Sequence, residues 1–381
     1  MAQGFRVGVI GATGFIGAPY RQEMREAVAG FQIAALCARR QEPLAAAAAE
    51  DGCDFTTDDW RQVVEHPDVD LVMVTTPDRL HYEPVMAAAA AGKHVFCDKP
   101  IGADSREAGA MWRACRDAGV AHYVPYWSRH IPLFQRAREI CRAGTLGDIK
   151  GVMYRWHNPR PASMPFTWRD DATLSAAGSI ADVGSHAYDA VRWILGAEAT
   201  RVLAHAGTIT PAKPDLGPVN LTEAIEWGSA NAKDAAPKTR AGTAFDYATI
   251  AWEFSGGAVG AITLSHAPFF RKGLAPELEL HGTAASLALD RVRGSIAIGA
   301  PGEDLPQTES ASVDVGNRFA NFVHPALSAR VDGQGDDEDG GQRPGMEDAW
   351  RVQLFTDAAA LSAKEGRWVE VAELEKAAEA E

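Results

Sequence analysis

The chain has 381 residues, of which 46% are hydrophobic, 23% charged and 8% aromatic, a length that divides into two domains at about 100–200 residues each. Its 37 basic and 51 acidic side chains leave a net charge of −14 with no Lys/Arg cluster, which argues against a nucleic-acid partner. Five cysteines without a C-x-x-C pair, an N-terminus without a signal-peptide pattern and no run of about 18 apolar residues predict a reduced, cytoplasmic protein that spans no membrane.

The first third alternates short apolar strands with alanine-rich helices. Phe5–Ile10 reads as a strand, with a helix after Gly17. Strands at Phe31–Leu36, Leu71–Thr75 and His94–Cys97 follow, with helices around Glu83–Ala91 and from Ser105 to about Ala118. This alternation predicts βαβ units and a doubly wound parallel sheet over residues 1–124. Past Val124 the rhythm changes: a helix near Leu133–Arg142, a strand from Ile149 to Trp156, a Pro- and Trp-containing loop over Asn158–Trp168, and a helical pattern from Asp182 to Leu195 that Gly196 ends. Ala248–Phe254, Ala258–Ser265 and Glu277–Leu280 read as strands joined by glycine turns, so residues 125–381 are expected to form an α/β domain on a large, mostly antiparallel sheet. Residues 331–348 are acidic and glycine-rich and read as a flexible insertion. A helix over about Glu347–Glu365 closes the chain.

The first strand runs into Gly11-Ala-Thr13-Gly14-Phe15-Ile16-Gly17 and then a helix. Glycines there let the backbone approach a pyrophosphate at a helix N-terminus, so Gly11, Thr13, Gly14, Phe15 and Ile16 are candidates for dinucleotide contact. The second strand ends in Arg39-Arg40, with no acid at 36–40 to hold ribose hydroxyls. Two guanidiniums suit a 2′-phosphate, so NADP is expected over NAD.

Thr76-Pro77-Asp-Arg-Leu-His81, followed by Ala91-Gly-Lys-His-Val and Asp98-Lys99-Pro100, resembles the glucose–fructose oxidoreductase/inositol dehydrogenase/rhizopine catabolism (Gfo/Idh/MocA) family, with Asp98 where that family carries Glu. Gly178–Asp189 resembles the family's D-x-G-x-H-x-x-D helix, carrying Asp182, His186 and Asp189. On one helix these three would share a face, where flanking carboxylates can fix a histidine's tautomer. The resemblance implies a dehydrogenase in which Lys99 and His186 face the substrate beside the nicotinamide and Asp182 anchors a hydroxyl or orients the pair. The chemistry implied is reversible oxidation of a secondary alcohol of a sugar, sugar derivative or cyclitol. His186 is expected to accept the proton while Lys99 stabilises the oxygen, though the roles could be exchanged. Thr76, Pro77, His81, Asp98 and Lys99 fall on the cofactor side. Arg129 sits where the family often carries a cleft arginine, and Tyr154, Trp156 and Arg169 are polyol-contact candidates, aromatic faces suiting sugar C–H surfaces as well as cores. The resemblance further implies a dimer or tetramer.

Rival readings are weaker. Gly-Ala-Thr-Gly-Phe-Ile-Gly also opens extended short-chain dehydrogenases, but none of the seven tyrosines has Lys at i+4. A non-catalytic dinucleotide or sugar sensor on the same fold would be expected to lose Lys99 or His186. A reductase of a non-sugar carbonyl remains an alternative. No H-E-x-x-H or cysteine cluster suggests a metal.

Overall fold

The apolar runs of the first third form the interior of a parallel sheet. The computed structural model describes residues 4–27, 30–231, 238–303, 307–334 and 341–379. The chain forms two compact units, one of Met1–Pro125 with Asn220–Thr222 and Gly316–Trp350, the other of Tyr126–Val219, Glu223–Val315 and Arg351–Glu381.

In the first unit, β1 (Phe5–Ile10), β2 (Phe31–Cys37), β3 (Thr56–Thr57), β4 (Leu71–Val74), β5 (His94–Cys97) and β6 (His122–Tyr123) lie in the order β3-β2-β1-β4-β5-β6. Every pairing is parallel. Helices α1 (Gly17–Glu26), α2 (Gln41–Asp51), α3 (Trp60–Glu65), α4 (Tyr82–Ala90) and α5 (Ser105–Asp117) alternate with the strands. Covered on both faces, β4 is buried at every residue, which is why its sequence shows no polar alternation. Chain reversal between β1 and β4 makes the topological switch point at which doubly wound sheets hold ligands. The side chain of Asp104 caps α5 by accepting from the Arg106 and Glu107 amides.

The second unit begins with α6 (Pro132–Arg142), β7 (Ile149–His157), α7 (Ser185–Leu195) and β8 (Ala199–Gly207). A ribbon of β9 (Lys213–Pro214) and β10 (Thr239–Arg240) brackets α8 (Leu221–Ala230). Strands β11 (Tyr247–Phe254), β12 (Val259–Ser265), β13 (Leu278–Gly282), β14 (Ser286–Asp290), β15 (Ser295–Gly299) and β16 (Gln307–Ser310) follow. Later in the chain come α9 (His324–Val331) and the start of α10 (Met346–Glu365), which belong to the first unit, and then the rest of α10, β17 (Val369–Glu370) and α11 (Val371–Glu379) in the second. The nine-stranded sheet has the order β16-β15-β14-β13-β7-β12-β11-β8-β17. Only β7 and β12 pair in parallel; the other contacts are antiparallel. Strict alternation of burial along β11 shows one face under helices, where Tyr188 of α7 stacks on Phe355 of α10 at 3.8 Å.

Two expectations need revision. Gly316–Trp350 joins the first unit and not the second. Phe319 packs its ring within 5.6 Å of Tyr20, Phe31 and Phe96, and Arg318 grips the Glu23 carboxylate. Aromatic side chains 200 residues or more away in sequence (319 − 96 = 223 at the nearest) supply that core, and composition does not reveal it. The acidic stretch at 331–348 is bounded by α9, ending at Val331, and α10, beginning at Met346. Glu347 and Asp348 are first-turn residues of α10, where the helix dipole favours acids. Asp336, Asp337, Glu338 and Asp339 lie outside the described residues. No helix among the described residues is long and apolar enough to cross a membrane.

Candidate active site

In the first unit the site is built from backbone. Gly11 has φ +90°, and a Cβ there would lie 2.8 Å from the Thr75 carbonyl carbon at the end of β4. A Cβ on Gly17 would stand 2.4 Å from the Gly11 oxygen. Only glycine allows strand, turn and helix to approach this closely. The Thr75 hydroxyl donates to the Ile10 and Gly11 carbonyls at 3.0 and 3.2 Å, tying the turn to β4. Helix α1 starts at Gly17 with no side-chain cap at Ile16; the Ala18 amide donates to the Gly14 carbonyl at 3.1 Å, and the helix dipole at this end favours an anion. Thr13, Phe15 and Ile16 are half-buried in the turn. A dinucleotide suits this turn, because the glycines let strand, turn and helix N-terminus close on one another, the arrangement that brings backbone to a pyrophosphate.

Around the turn, Arg39 and Arg40 are exposed at the end of β2. Carboxylates are nearer than the sequence of β2 indicates. Burial, followed by the charges of Asp59 and Asp58 past β3, pushes the Cys37 thiol up to about 11. Asp59 is engaged in capping α3 through the Arg61 amide.

His81 differs from expectation. It is buried, with Nδ1 3.0 Å from the Pro100 carbonyl and Nε2 2.7 Å from the Thr76 carbonyl. Instead of lining a cofactor surface, it clamps the loop after β4 to the loop after β5 and positions Thr76, Pro77 and Lys99. Asp98 is buried and Lys99 half-buried, and the Lys99–Pro100 peptide is cis.

In the second unit the site is built from side chains. Asp182 lies in a π-turn, Ile180–Gly184, that runs into α7, so Asp182 and His186 do not share a plain α-helical face. π-Turns of this kind are frequent at functional sites. Three groups converge on Asp182 Oδ2: Arg160 Nη2 at 3.0 Å, His266 Nε2 at 3.0 Å and Arg169 Nε at 3.8 Å. Burial, then the Arg160 charge, holds His266 below the usual histidine range, so it is neutral beside the carboxylate. Asp189 is fully buried and receives Arg129 Nε at 3.0 Å and Nη2 at 2.5 Å. The carboxylates flanking His186 are thus both engaged by arginines. His186 is half-buried, stacked on Trp156 at 5.7 Å and 24°, with the Tyr126 ring edge-on at 6.0 Å.

Two polyol-contact candidates are revised. Arg129 is a buried structural cation held by Asp189. Tyr154 is buried, and its hydroxyl donates to Glu277 at 2.7 Å. Trp156 and Arg169 remain beside His186 and Asp182 respectively. Arg160, His266 and the buried Asp170–Lys213 pair at 2.6 Å escaped sequence reasoning. Register explains the first two: β7 and β12 are parallel, pairing His157 with Ser265. Their continuations stay side by side, Arg160 N donating to the His266 carbonyl at 2.9 Å. Residues 106 positions apart therefore meet at one carboxylate (266 − 160). Groups of acidic, histidine or cysteine side chains able to hold a metal do not occur among the described residues.

A parallel sheet with a glycine cradle at its switch point, and a separate mixed sheet carrying an Asp–His turn, define a two-domain nucleotide-dependent oxidoreductase. Residues 5–126 match the oxidoreductase family with NAD-binding Rossmann fold, and residues 134–288 match the GFO/IDH/MocA C-terminal domain; the chain belongs to the Gfo/Idh/MocA oxidoreductase family. It is 26% identical to levoglucosan dehydrogenase of Pseudarthrobacter phenanthrenivorans over 87% of this chain and 88% of that protein. It is 29% identical to the NADP-dependent scyllo-inositol 2-dehydrogenase of Bacillus subtilis over 50% of this chain and 52% of that one. The crystal structure of an oxidoreductase domain protein from Kribbella flavida superposes with a TM-score of 0.81 at 26% identity, covering 97% of this chain and all of that one.

Proposed function

We propose that this protein is an NADP-preferring dehydrogenase that reversibly oxidises a secondary alcohol of a sugar, sugar derivative or cyclitol. The observation that carries this reading is the Asp182–His186 turn, where a half-buried imidazole stacks on an indole next to a carboxylate held by Arg160. When bound, the nicotinamide supplies the hydride acceptor or donor. His186 takes the hydroxyl proton as the alcohol is oxidised and returns it in reduction. Lys99 donates to the same oxygen and stabilises its developing negative charge. Asp182, held by Arg160 and Arg169, accepts a neighbouring substrate hydroxyl, and Trp156 offers an apolar face to sugar C–H groups. Arg39 and Arg40 grip a 2′-phosphate, in keeping with the NADP named for the Bacillus relative. Exposed Met153 and Val259 on the sheet support self-association as a dimer or tetramer.

The test is a calorimetric titration with NADP(H) and NAD(H), followed by a panel of sugars and cyclitols monitored at the nicotinamide absorbance band. Tight nucleotide binding with turnover of a polyol is the expected result. Binding without turnover of any polyol overturns the substrate class, and absence of nucleotide binding overturns the whole reading.

A further inference from the structure

Behind Trp156, the end of β7, the loop 267–276 and the β14–β15 turn enclose a cleft of about 520 Å³, a size that accommodates a small ligand. Its lining includes four cations, Arg155, Arg271, Lys272 and Arg291, and two carboxylates, Glu277 and Asp290. Both carboxylates are already committed. Glu277 takes Arg291 through two bonds of 3.0 and 2.8 Å and also accepts from Tyr154, while Asp290 is bound by Arg293. Arg155 is satisfied by Glu279 at 2.6 Å. Arg271 and Lys272, adjacent in sequence, have no carboxylate within salt-bridge distance among the described residues, and Arg271 bonds the Pro268 and Phe270 carbonyls. Lys272 is exposed to solvent in the cleft lining, and partial burial with the neighbouring Arg291 charge holds it below the usual lysine range against the opposing pull of Glu277. The walls are aromatic. Arg291 lies 4.3 Å over Trp156, and Phe270 stacks on His157 at 4.8 Å.

A concave, aromatic-walled cleft with four cations against two carboxylates, both already bonded to arginines, attracts an oxyanion. Trp156 belongs both to this cleft and to the stack on His186. We propose that the cleft is a subsite for an anionic end of the substrate, a carboxylate or phosphate ester, received by Lys272 and Arg271 while the reacting hydroxyl lies at His186. The inference rests on the dehydrogenase reading and narrows its substrates to sugar acids or sugar phosphates.

Calorimetry on the full chain tests this without needing turnover. The probes are gluconate, glucose 6-phosphate, glucose and inorganic phosphate, each with and without NADP(H). One or both sugar anions should bind at least about tenfold more tightly than glucose, with the preference shrinking as salt rises. Lys272→Gln should weaken the preferred anion by on the order of tenfold relative to glucose, with Arg271→Gln acting in the same direction. Gluconate against glucose 6-phosphate identifies the anion. Inorganic phosphate binding as tightly as glucose 6-phosphate overturns a substrate-borne anion, and glucose binding as tightly as the anions, or indifference to both substitutions, overturns the subsite. Polyol turnover indifferent to Lys272→Gln removes the subsite and leaves the dehydrogenase standing. Anion binding without turnover of any alcohol removes the dehydrogenase reading alone.

Discussion

The two units carry their candidate functional groups on different materials. In the first, main chain does the work: a left-handed glycine at Gly11 and the missing Cβ of Gly17 let strand, turn and helix close on one another. In the second, long side chains from separate loops converge on Asp182 and stack around His186. A backbone cradle tolerates most side-chain changes nearby and no Cβ inside it. A side-chain network is sensitive to each member, because removing one leaves a buried partner uncompensated. The contrast also predicts which measurement each unit should move, nucleotide affinity for the first and turnover or stability for the second.

The largest effect is expected at the proton-handling residues. His186→Ala should lower kcat by roughly 10²–10⁴-fold with little change in NADP(H) affinity, and Lys99→Ala should lower kcat comparably. Steady-state kinetics beside nucleotide titration separates the two readouts, and wild-type turnover in either variant would break the assignment. Next is the buried Asp170–Lys213 pair. Burial alone would raise the Asp170 carboxyl, but Lys213 and the Thr167 amide hold it below the ordinary carboxylate range. Lys213→Met should therefore cost about 3–5 kcal/mol in denaturant unfolding. Lys213→Met combined with Asp170→Leu should recover part of that loss.

Acid should act on the second unit through His130. Burial, reinforced by the Arg129 charge, lowers this imidazole to about 3. Its folded value lies below the unfolded one, so the unfolded chain binds the extra proton first. The associated stability is complete above about pH 6.5 and is lost as pH falls toward about 3, amounting to roughly 2–3 kcal/mol between pH 6.5 and 4.5. Denaturant midpoints across that range should show this slope, and His130→Asn should flatten it; an unchanged slope would assign the acid sensitivity elsewhere. In the first unit, Gly17→Ala brings a Cβ to 2.4 Å from the Gly11 oxygen and should weaken NADP(H) binding by on the order of tenfold. The smallest expected effect is a change of preference. Arg39→Asp with Arg40→Ala should reduce NADP affinity severalfold more than NAD affinity, and equal losses would show that Asp58 or Asp59, not the arginines, governs the ribose end.

How far each region could be read from the chain follows the same division. Gly11, Gly14 and Gly17 are legible because one local turn requires them in consecutive order between a strand and a helix. Gly196 is legible as the stop of α7 for the same reason, adopting φ +65° at the helix end. His81 looked like a surface residue of the cofactor side, yet its role is a clamp between two loops 19 residues apart in sequence. Arg129 and Tyr154 carried chemistry suited to a polyol and turned out to be spent on Asp189 and Glu277. Nothing in a residue's type or neighbours announces that a distant carboxylate will claim it.

The sequence by itself determined the alternation of strands and helices in the first unit, the glycine turn and the family. These depend on local periodicity and short-range backbone geometry, which neighbouring residues encode. Tertiary structure alone decided that Gly316–Trp350 completes the first unit, that Arg160 and His266 meet at Asp182, and that Arg271 and Lys272 line one cleft with no ion-pair partner among the described residues. Those outcomes depend on strand register and on which buried charges find partners. They are settled by desolvation and Coulomb energy between groups far apart in the chain.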